Sequence, residues 1–146
     1  MEFAVRDARA DDAAPIAELS GELGYPTDAR KVRGVLERVL ARADQRIYVA
    51  ESPGGSVCGW LQAHSCEVIE SGLRVEIMGL VVSASARRGG VGRALVSRAE
   101  AWASQLSAGY VVVRSNVRRE ESHAFYPALG YAKTKTQAVY LKKAGA

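Results

Sequence analysis

A glycine-rich loop between an apolar run and an amphipathic segment constrains this chain more than any other feature. The apolar run ends at Val82, the loop reads Arg-Arg-Gly-Gly-Val-Gly-Arg over residues 87–93, and helical periodicity follows. Glycines let the backbone approach a ligand closely, and the free N–H groups at a helix start attract anions. The order strand, loop and helix therefore predicts a binding site for a pyrophosphate group.

The glycine spacing disfavours two other kinds of phosphate-binding loop. A nucleoside-triphosphate loop needs Gly-Lys-Ser or Gly-Lys-Thr, and the sequence contains neither tripeptide. A dinucleotide-binding loop needs a small residue where Leu95 stands and an acidic residue about twenty positions later, where residues 111–113 are all valine. Both alternatives are weakened.

Length and composition indicate a single domain over residues 1–146. This length is enough for one buried core and short for two. No apolar run approaches the roughly 20 residues of a membrane span, and the start lacks a signal-peptide pattern. We therefore expect a cytoplasmic protein with no membrane partner. Cys58 and Cys66 are expected to be separate buried thiols, and with His64 and His123 they show no metal-ligand spacing, so no metal is expected.

Charge is divided unevenly along the chain. Residues 1–73 contain 8 Lys/Arg and 12 Asp/Glu, whereas residues 74–146 contain 12 and 4. This asymmetry predicts a polyanion-binding surface in the second half. The acidic first half suits a cationic amine, although a solvated mixed surface explains it equally well.

The sequence pattern predicts strands and helices that alternate, which is typical of a layered α/β or α+β domain. A helix cap is expected at Thr27 or Asp28, and Gly130 is expected to end the last helix. The strands are expected at 3–8, 47–51, 57–68, 73–82, 110–114 and 138–143, and the helices at 12–23, after 28, at 91–106 and at 120–129.

Two motifs together resemble the GNAT family of acyl-CoA-dependent N-acetyltransferases. The first is Arg-x-x-Gly-x-Gly over residues 87–92, and the second is Phe-Tyr-x-x-x-Gly-Tyr over residues 125–131, preceded by Asn116. The resemblance implies an α/β (α+β) fold with a mixed sheet of six or seven strands, splayed central parallel strands and about four flanking helices. It also implies acetyl-CoA as co-substrate, bound at the pyrophosphate site.

The resemblance further implies a set of cofactor-binding residues. The main chain of residues 80–82 would pair with the pantetheine arm, the arginines of the loop would contact the phosphates, and Phe125 would pack against the arm. Asn116 would donate a hydrogen bond to the arm, or would form an Asx turn. The full set is Leu80, Val81, Val82, Arg87, Arg88, Gly89, Gly90, Val91, Gly92, Arg93, Asn116 and Phe125.

Acyl transfer to an amine needs a group that protonates the departing thiolate. Tyr126 matches the tyrosine that acts as general acid in the family, and a phenol is protonated at pH 7. The alternative for Tyr126 is that it only packs the last helix onto the sheet.

The amine must also lose a proton, and Glu76 is the candidate base. Strict alternation would place Glu76, with Met78, Leu80 and Val82, on the face opposite Val75, Ile77, Gly79 and Val81, and Gly79 would allow a bulge. A carboxylate among apolar neighbours is costly unless the site uses it. Glu76 could instead lie at a wet strand end or bond a structural partner. His123 is the rival base, and a water chain is a further route.

These observations predict an N-acetyltransferase that moves an acetyl group from acetyl-CoA to a primary amine of a small molecule or a protein, by direct attack in a ternary complex. A CoA-binding sensor without turnover is the main alternative. A nucleic-acid-binding module is disfavoured, because the arginines cluster around the loop and no nucleic-acid motif is present. A homodimer is compatible with the pattern.

Overall fold

The computed structural model describes residues 2–115 and 120–145. Within these residues, short 3₁₀ turns lie at Ala10–Asp12 and Ala84–Ala86. The strands are β1 (Ala4–Asp7), β2 (Gln45–Glu51), β3 (Val57–Val68), β4 (Gly72–Val82) and β5 (Tyr110–Val113), and the helices are α1 (Ala13–Glu22), α2 (Ala29–Val39), α3 (Val91–Gln105) and α4 (Glu120–Ala128). No helix in the described ranges is both long enough and apolar enough to span a membrane.

The strands form one mixed sheet in the order β1-β2-β3-β4-β5. The first three pairings are antiparallel, and β4 pairs with β5 in parallel. The parallel ladder begins with Arg74 opposite Tyr110 and ends with Ile77 opposite Val113, whereas β4 continues to Val82. The expected α/β fold, with two central parallel strands that are paired over only part of their length, is therefore confirmed.

Helices cover both faces of the sheet. On one face α3 lies close to β3, because a Cβ atom on Gly59 would stand only 3.0 Å from Val91 and 3.2 Å from Leu95. On the other face α1 and α2 enclose an apolar cluster of Ala8, Ala13, Ile16, Leu36, Ile47 and Val49. Each strand therefore presents apolar side chains in both directions, as expected for a sheet buried between helices.

Contacts within the chain divide it into two compact units, Met1–Arg114 and Ser115–Ala146. The first unit contains the whole sheet and α1 to α3, and the second contains α4. The single domain over residues 1–146 stays a prediction. Asp28 caps α2 by accepting a hydrogen bond from the Lys31 amide at 2.9 Å, and Gly130 follows α4 with a φ of 93°, as expected.

The predicted closing strand at 138–143 is wrong, and so is the count of six or seven strands, since the described residues form five. Residues 132–143 have no regular secondary structure. Val139, Tyr140 and Leu141 are 85%, 93% and 97% exposed. β-propensity reflects packing against neighbouring strands rather than an intrinsic backbone preference, so an apolar run without a ladder does not make a strand.

An ion-pair network ties β1 to the start of α1. Arg6 donates two hydrogen bonds to the Asp12 carboxylate, at 2.8 and 2.9 Å, and one to Glu51 at 2.6 Å. The Asp12 carboxylate also accepts from the Arg9 amide at 2.7 Å. Burial raises the pKa of the Asp12 carboxyl, but the hydrogen bonds from Arg6 and Arg9 outweigh it, and the net pKa lies below its usual value.

We predict that Asp12→Asn lowers the free energy of unfolding by about 2 kcal/mol at pH 7, because Arg6 loses its charged acceptor. A lowered folded-state pKa contributes stability above the unfolded pKa of about 3.9, and that contribution disappears as pH falls through the folded value. Urea unfolding at pH 7 and pH 3 should therefore show a gap between variant and wild type that narrows in acid. Asp11→Asn, at a carboxylate whose side chain is 85% exposed, is the control. A gap of equal size at both pH values would contradict the assignment.

Candidate active site

The end of β4 offers an open backbone edge. The β4–β5 ladder stops at Ile77, and no described strand pairs with residues 78–82 on that side. Unpaired N–H and C=O groups on an edge are a template for another extended chain. This edge is where we expected Leu80, Val81 and Val82 to pair with the pantetheine arm, and the geometry permits that pairing without testing it.

A β-bulge lies at Met78, beside the predicted position. Gln62 pairs with Gly79 and the next residue of β3 pairs with Ile77, so Met78 is the extra residue of β4. The bulge reverses the alternation, because Gln62 and His64 lie on one face of β3 and pair with Gly79 and Glu76. The expected strict alternation across Met78 is therefore wrong, and Glu76 shares its face with Gly79 rather than opposing it.

The Trp60 ring leaves no room for a side chain at residue 79. A Cβ atom on Gly79 would stand 2.9 Å from Cη2 and Cζ3 of Trp60, closer than real Cβ contacts allow. The indole cannot swing away freely, because its Nε1 donates a hydrogen bond to Ser20 Oγ at 3.2 Å. Gly79 therefore keeps the bulge and the indole in their places.

The glycine-rich loop leads directly into α3. Gly90 precedes the helix with a φ of 85°, and Arg88 also has a positive φ of 66°. No side chain caps the helix, and the first bond is donated by the Ala94 amide to the Gly90 carbonyl at 3.0 Å. The amides of residues 91–93 therefore have no partner within the helix, which is the arrangement that binds phosphate.

The positive charge of the loop is exposed. The side chains of Arg87, Arg88 and Arg93 all lie on the surface, and Val91 is buried under the helix start. Gly90 has no neighbouring atom within 4 Å of a Cβ position, so its surroundings are open to a ligand. The loop residues expected to bind the phosphates are thus brought together, with Gly89 and Gly92 between them.

Glu76 lies in a cluster of charged groups. Its carboxylate is 3.3 Å from His64 Nε2 and 3.8 Å from an Arg74 guanidinium nitrogen, and it forms an ion pair with Arg114. Its side chain is 16% exposed and lines a cavity of about 310 Å³ with His64, Met78 and Arg114. The carboxylate is therefore held in place while it remains reachable by a ligand.

Sequence reasoning did not find His64 or Arg114 as neighbours of Glu76. His64 lies opposite Glu76 in the β3–β4 ladder, and Arg114 directly follows β5. A pairing register is set by the turn and the bulge together, so the sequence alone carried no clear signal for these contacts. Glu76 therefore has three side-chain partners, His64, Arg74 and Arg114, as the structural alternative expected.

His64, Cys66 and Glu76 place their ligand atoms within 4.8 Å of one another, although the sequence spacing indicated no metal cluster. Two guanidinium groups contact the same carboxylate. A cation would compete with them for Glu76, so we assign no metal to this cluster. Cys58 and Cys66 are separate free thiols, as expected, but only Cys58 is buried, and Cys66 is partly exposed.

The residues predicted from the second motif lie in the second unit. The Phe125 and Tyr126 rings meet edge to face with centroids 4.9 Å apart, and Tyr126 also contacts Tyr131 at 5.9 Å. His123 is exposed on α4. Asn116 lies outside the described residues. The roles of Tyr126, Phe125 and Asn116 stay predictions.

A larger cavity of about 510 Å³ lies on the α1–α2 side of the sheet. Its walls come from α1, α2, the residues between them, β2 and β3. Gln62 lines this cavity, and His64, two residues further along β3, lines the cavity of Glu76. The two cavities are therefore neighbours on one face of the sheet.

Known proteins share the family pattern and the fold. A family model described as the acetyltransferase (GNAT) family matches residues 12–131. A comparison with curated protein sequences gives no significant match.

Solved structures resemble the whole chain. An aminoglycoside 6'-N-acetyltransferase AAC(6')-Ih from Acinetobacter baumannii is 18% identical, with 99% of this chain and 100% of that chain covered and a TM-score of 0.84. A glucosamine-6-phosphate N-acetyltransferase from Arabidopsis thaliana is 18% identical, covers 98% and 100%, and has a TM-score of 0.84. AAC(6')-Iy, solved with a CoA-containing bisubstrate analog, is 18% identical, covers 98% and 99%, and has a TM-score of 0.86. At these identities the likeness concerns the fold.

The fit between Gly79 and Trp60 generates a prediction. We expect Gly79→Ala to lower the free energy of unfolding by about 1–3 kcal/mol, because the added methyl group overlaps the indole ring. Urea denaturation gives the value. Gly54→Ala, where no atom lies within 4 Å of the Cβ position, is the matched control. Gly79→Ala should cost less when it is made in a Trp60→Phe background than in wild type, since the shorter ring frees the space. Equal stability of the two alanine variants would contradict the fit.

Proposed function

The chain belongs to the acetyltransferase (GNAT) family, and we propose that it transfers an acetyl group from acetyl-CoA to a primary amine by direct attack in a ternary complex. The observation that supports this most is the uncapped start of α3, with its free amides and three exposed arginines, beside the open edge of β4. The loop suits a pyrophosphate and the edge suits the extended pantetheine arm.

The loop fits coenzyme A in charge and in shape. Free amides at a helix start and nearby guanidinium groups neutralise phosphate oxygens. The positive φ of Gly90 turns the chain without a side chain, so that phosphate oxygens can approach the amides of residues 91–93. When bound, acetyl-CoA supplies the thioester carbon that the amine attacks.

Backbone groups of β4 would orient the acyl group. A bulge re-aims the N–H and C=O groups on either side of it. An N–H of residues 80–82 that points to the open edge would donate a hydrogen bond to the thioester carbonyl and stabilise the charge that develops on its oxygen.

Glu76 would take the proton that the amine must lose, directly or through a water. Its carboxylate is largely enclosed by His64, Arg74 and Arg114 but still lines a cavity. His64 and the guanidinium groups would act as positioning residues, because they hold the carboxylate through His64 Nε2 and two ion pairs.

Tyr126 would protonate the departing thiolate as the C–S bond breaks and the C–N bond forms. A phenol is protonated at neutral pH and can donate to a thiolate. Support for this role comes from the match of residues 125–131 to the family motif, and the edge-to-face contact with Phe125 would fix the ring. The alternative role of a CoA sensor without turnover is tested by the same acyl-transfer assay.

We predict that Gly90→Glu lowers CoA affinity by about 100-fold or more, since a carboxylate at the helix start repels phosphate and the left-handed φ disfavours a side chain. Isothermal calorimetry with CoA gives the affinity, and release of free thiol from acetyl-CoA with a panel of amines gives turnover. Gly72→Glu, at a glycine with a φ of 78° and open surroundings, is the matched control. Unchanged affinity in Gly90→Glu would remove the loop from the CoA site. CoA binding without acetylation of any amine would support the sensor.

We predict that Glu76→Gln loses most of its turnover near pH 7 and recovers part of it as pH rises, because more of the amine is then already neutral. A pH–rate profile of kcat from pH 6 to 10 tests this expectation. Glu67→Gln, at an exposed carboxylate on β3, is the control. A profile parallel to that of wild type at every pH would exclude Glu76 as the base and direct attention to His123.

A further inference from the structure

The residues that line the larger cavity indicate which kind of molecule the cavity would hold. Its walls are mainly aliphatic and aromatic: Ile16, Val32, Val35, Leu36, Ile47 and Trp60 line it. The polar groups that reach it include Gln62 and Ser20, and Ser20 Oγ is already bonded to the Ile16 carbonyl and to Trp60 Nε1. The cavity therefore favours an apolar body with few hydrogen-bonding groups.

The charge of the lining is also one-sided. Among the described residues that line the cavity, Lys31 carries the one formal charge, and no carboxylate is present. A polycationic amino sugar buried here would lose water without gaining an anionic partner, which is costly. An anionic group on the ligand, in contrast, would form a charge-assisted hydrogen bond with the Lys31 ammonium group.

The cavity leads toward the candidate base. Gln62 and His64 point to the same face of β3 and are separated by about 7 Å along the strand. His64 contacts Glu76, which lines the smaller cavity. A ligand whose body fills the larger cavity can therefore extend an amine to Glu76.

We infer that the acceptor is a primary amine on an apolar aliphatic or aromatic body that also carries a carboxylate, bound with its body against Trp60 and its carboxylate at Lys31. This inference rests on the proposed acetyl transfer and names its substrate class. The amine attacks the thioester carbon, its proton goes to Glu76, and the C–S bond breaks as the leaving thiolate takes up a proton. The products are the N-acetyl derivative and free CoA.

The test compares acceptors that differ in one group. L-phenylalanine and 6-aminohexanoate carry the carboxylate, L-phenylalaninamide and hexylamine lack it, and kanamycin is a polycationic amino sugar. We expect kcat/KM of at least one carboxylate acceptor to exceed that of its counterpart without a carboxylate by about tenfold, the effect of one charge-assisted contact. Kanamycin should be the poorest acceptor.

Variants assign the preference to Lys31. Lys31→Gln should lower kcat/KM for the preferred carboxylate acceptor about tenfold and leave kcat/KM for its counterpart without a carboxylate unchanged. Arg30→Gln, which removes an equal charge from the adjacent exposed position outside the cavity, should change neither. Equal losses for both acceptors in Lys31→Gln, or kanamycin as the best acceptor, would overturn the inference.

A binding measurement separates this inference from the proposed function. Calorimetry of N-acetyl-L-phenylalanine and N-acetyl-6-aminohexanoate with wild type and Lys31→Gln needs no turnover. Binding to wild type that Lys31→Gln weakens would support the cavity assignment, even if no amine is acetylated. A failure to acetylate any amine would by itself overturn the proposed function. Absence of binding in wild type, together with acetylation of other amines, would overturn the inference and keep the function.

Discussion

The bulge at Met78 is the constraint on which the rest of the site depends. One extra residue in β4 brings Glu76 and Gly79 to the same face, where they lie opposite His64 and Gln62 of β3. Without it, strict alternation would turn Glu76 and Gly79 to opposite faces. The bulge is accommodated because residue 79 has no side chain and the Trp60 indole, held by Ser20, fills the space above it. The bulge thus turns Glu76, which lines the smaller cavity, to the same face as Gln62, which lines the larger one.

The two faces of the sheet carry different structural features. On the α3 face, close packing at Gly59 brings the helix start and the glycine-rich loop to the end of β4. On the other face, α1 and α2 leave room for the larger cavity above Trp60. A donor site and an acceptor site built on opposite sides of one strand end would meet at the β4 edge, where the ladder with β5 has stopped. The charge asymmetry of the chain is consistent with this division, since the arginines of the loop belong to the basic half.

The fold and the loop were predictable because their signals are local. Helical periodicity, the Asp28 cap and the left-handed Gly130 after α4 depend on nearby residues, and each agrees with its sequence prediction. The strand at 138–143 was not predictable in this way. The run Val139-Tyr140-Leu141 has high β-propensity, yet a strand exists only through its partner, and the described ladders do not include that run.

The sequence by itself determined the glycine-rich loop, because its glycines and adjacent arginines lie within seven residues of one another. It also determined that Glu76 would be a carboxylate among apolar strand neighbours. Only the tertiary structure decided what Glu76 contacts. His64 and Arg114 come from other strands or strand ends, and their approach depends on the ladder register and on the one-residue bulge. Side-chain direction along a strand reverses with each residue, so a register shift of one changes every partner.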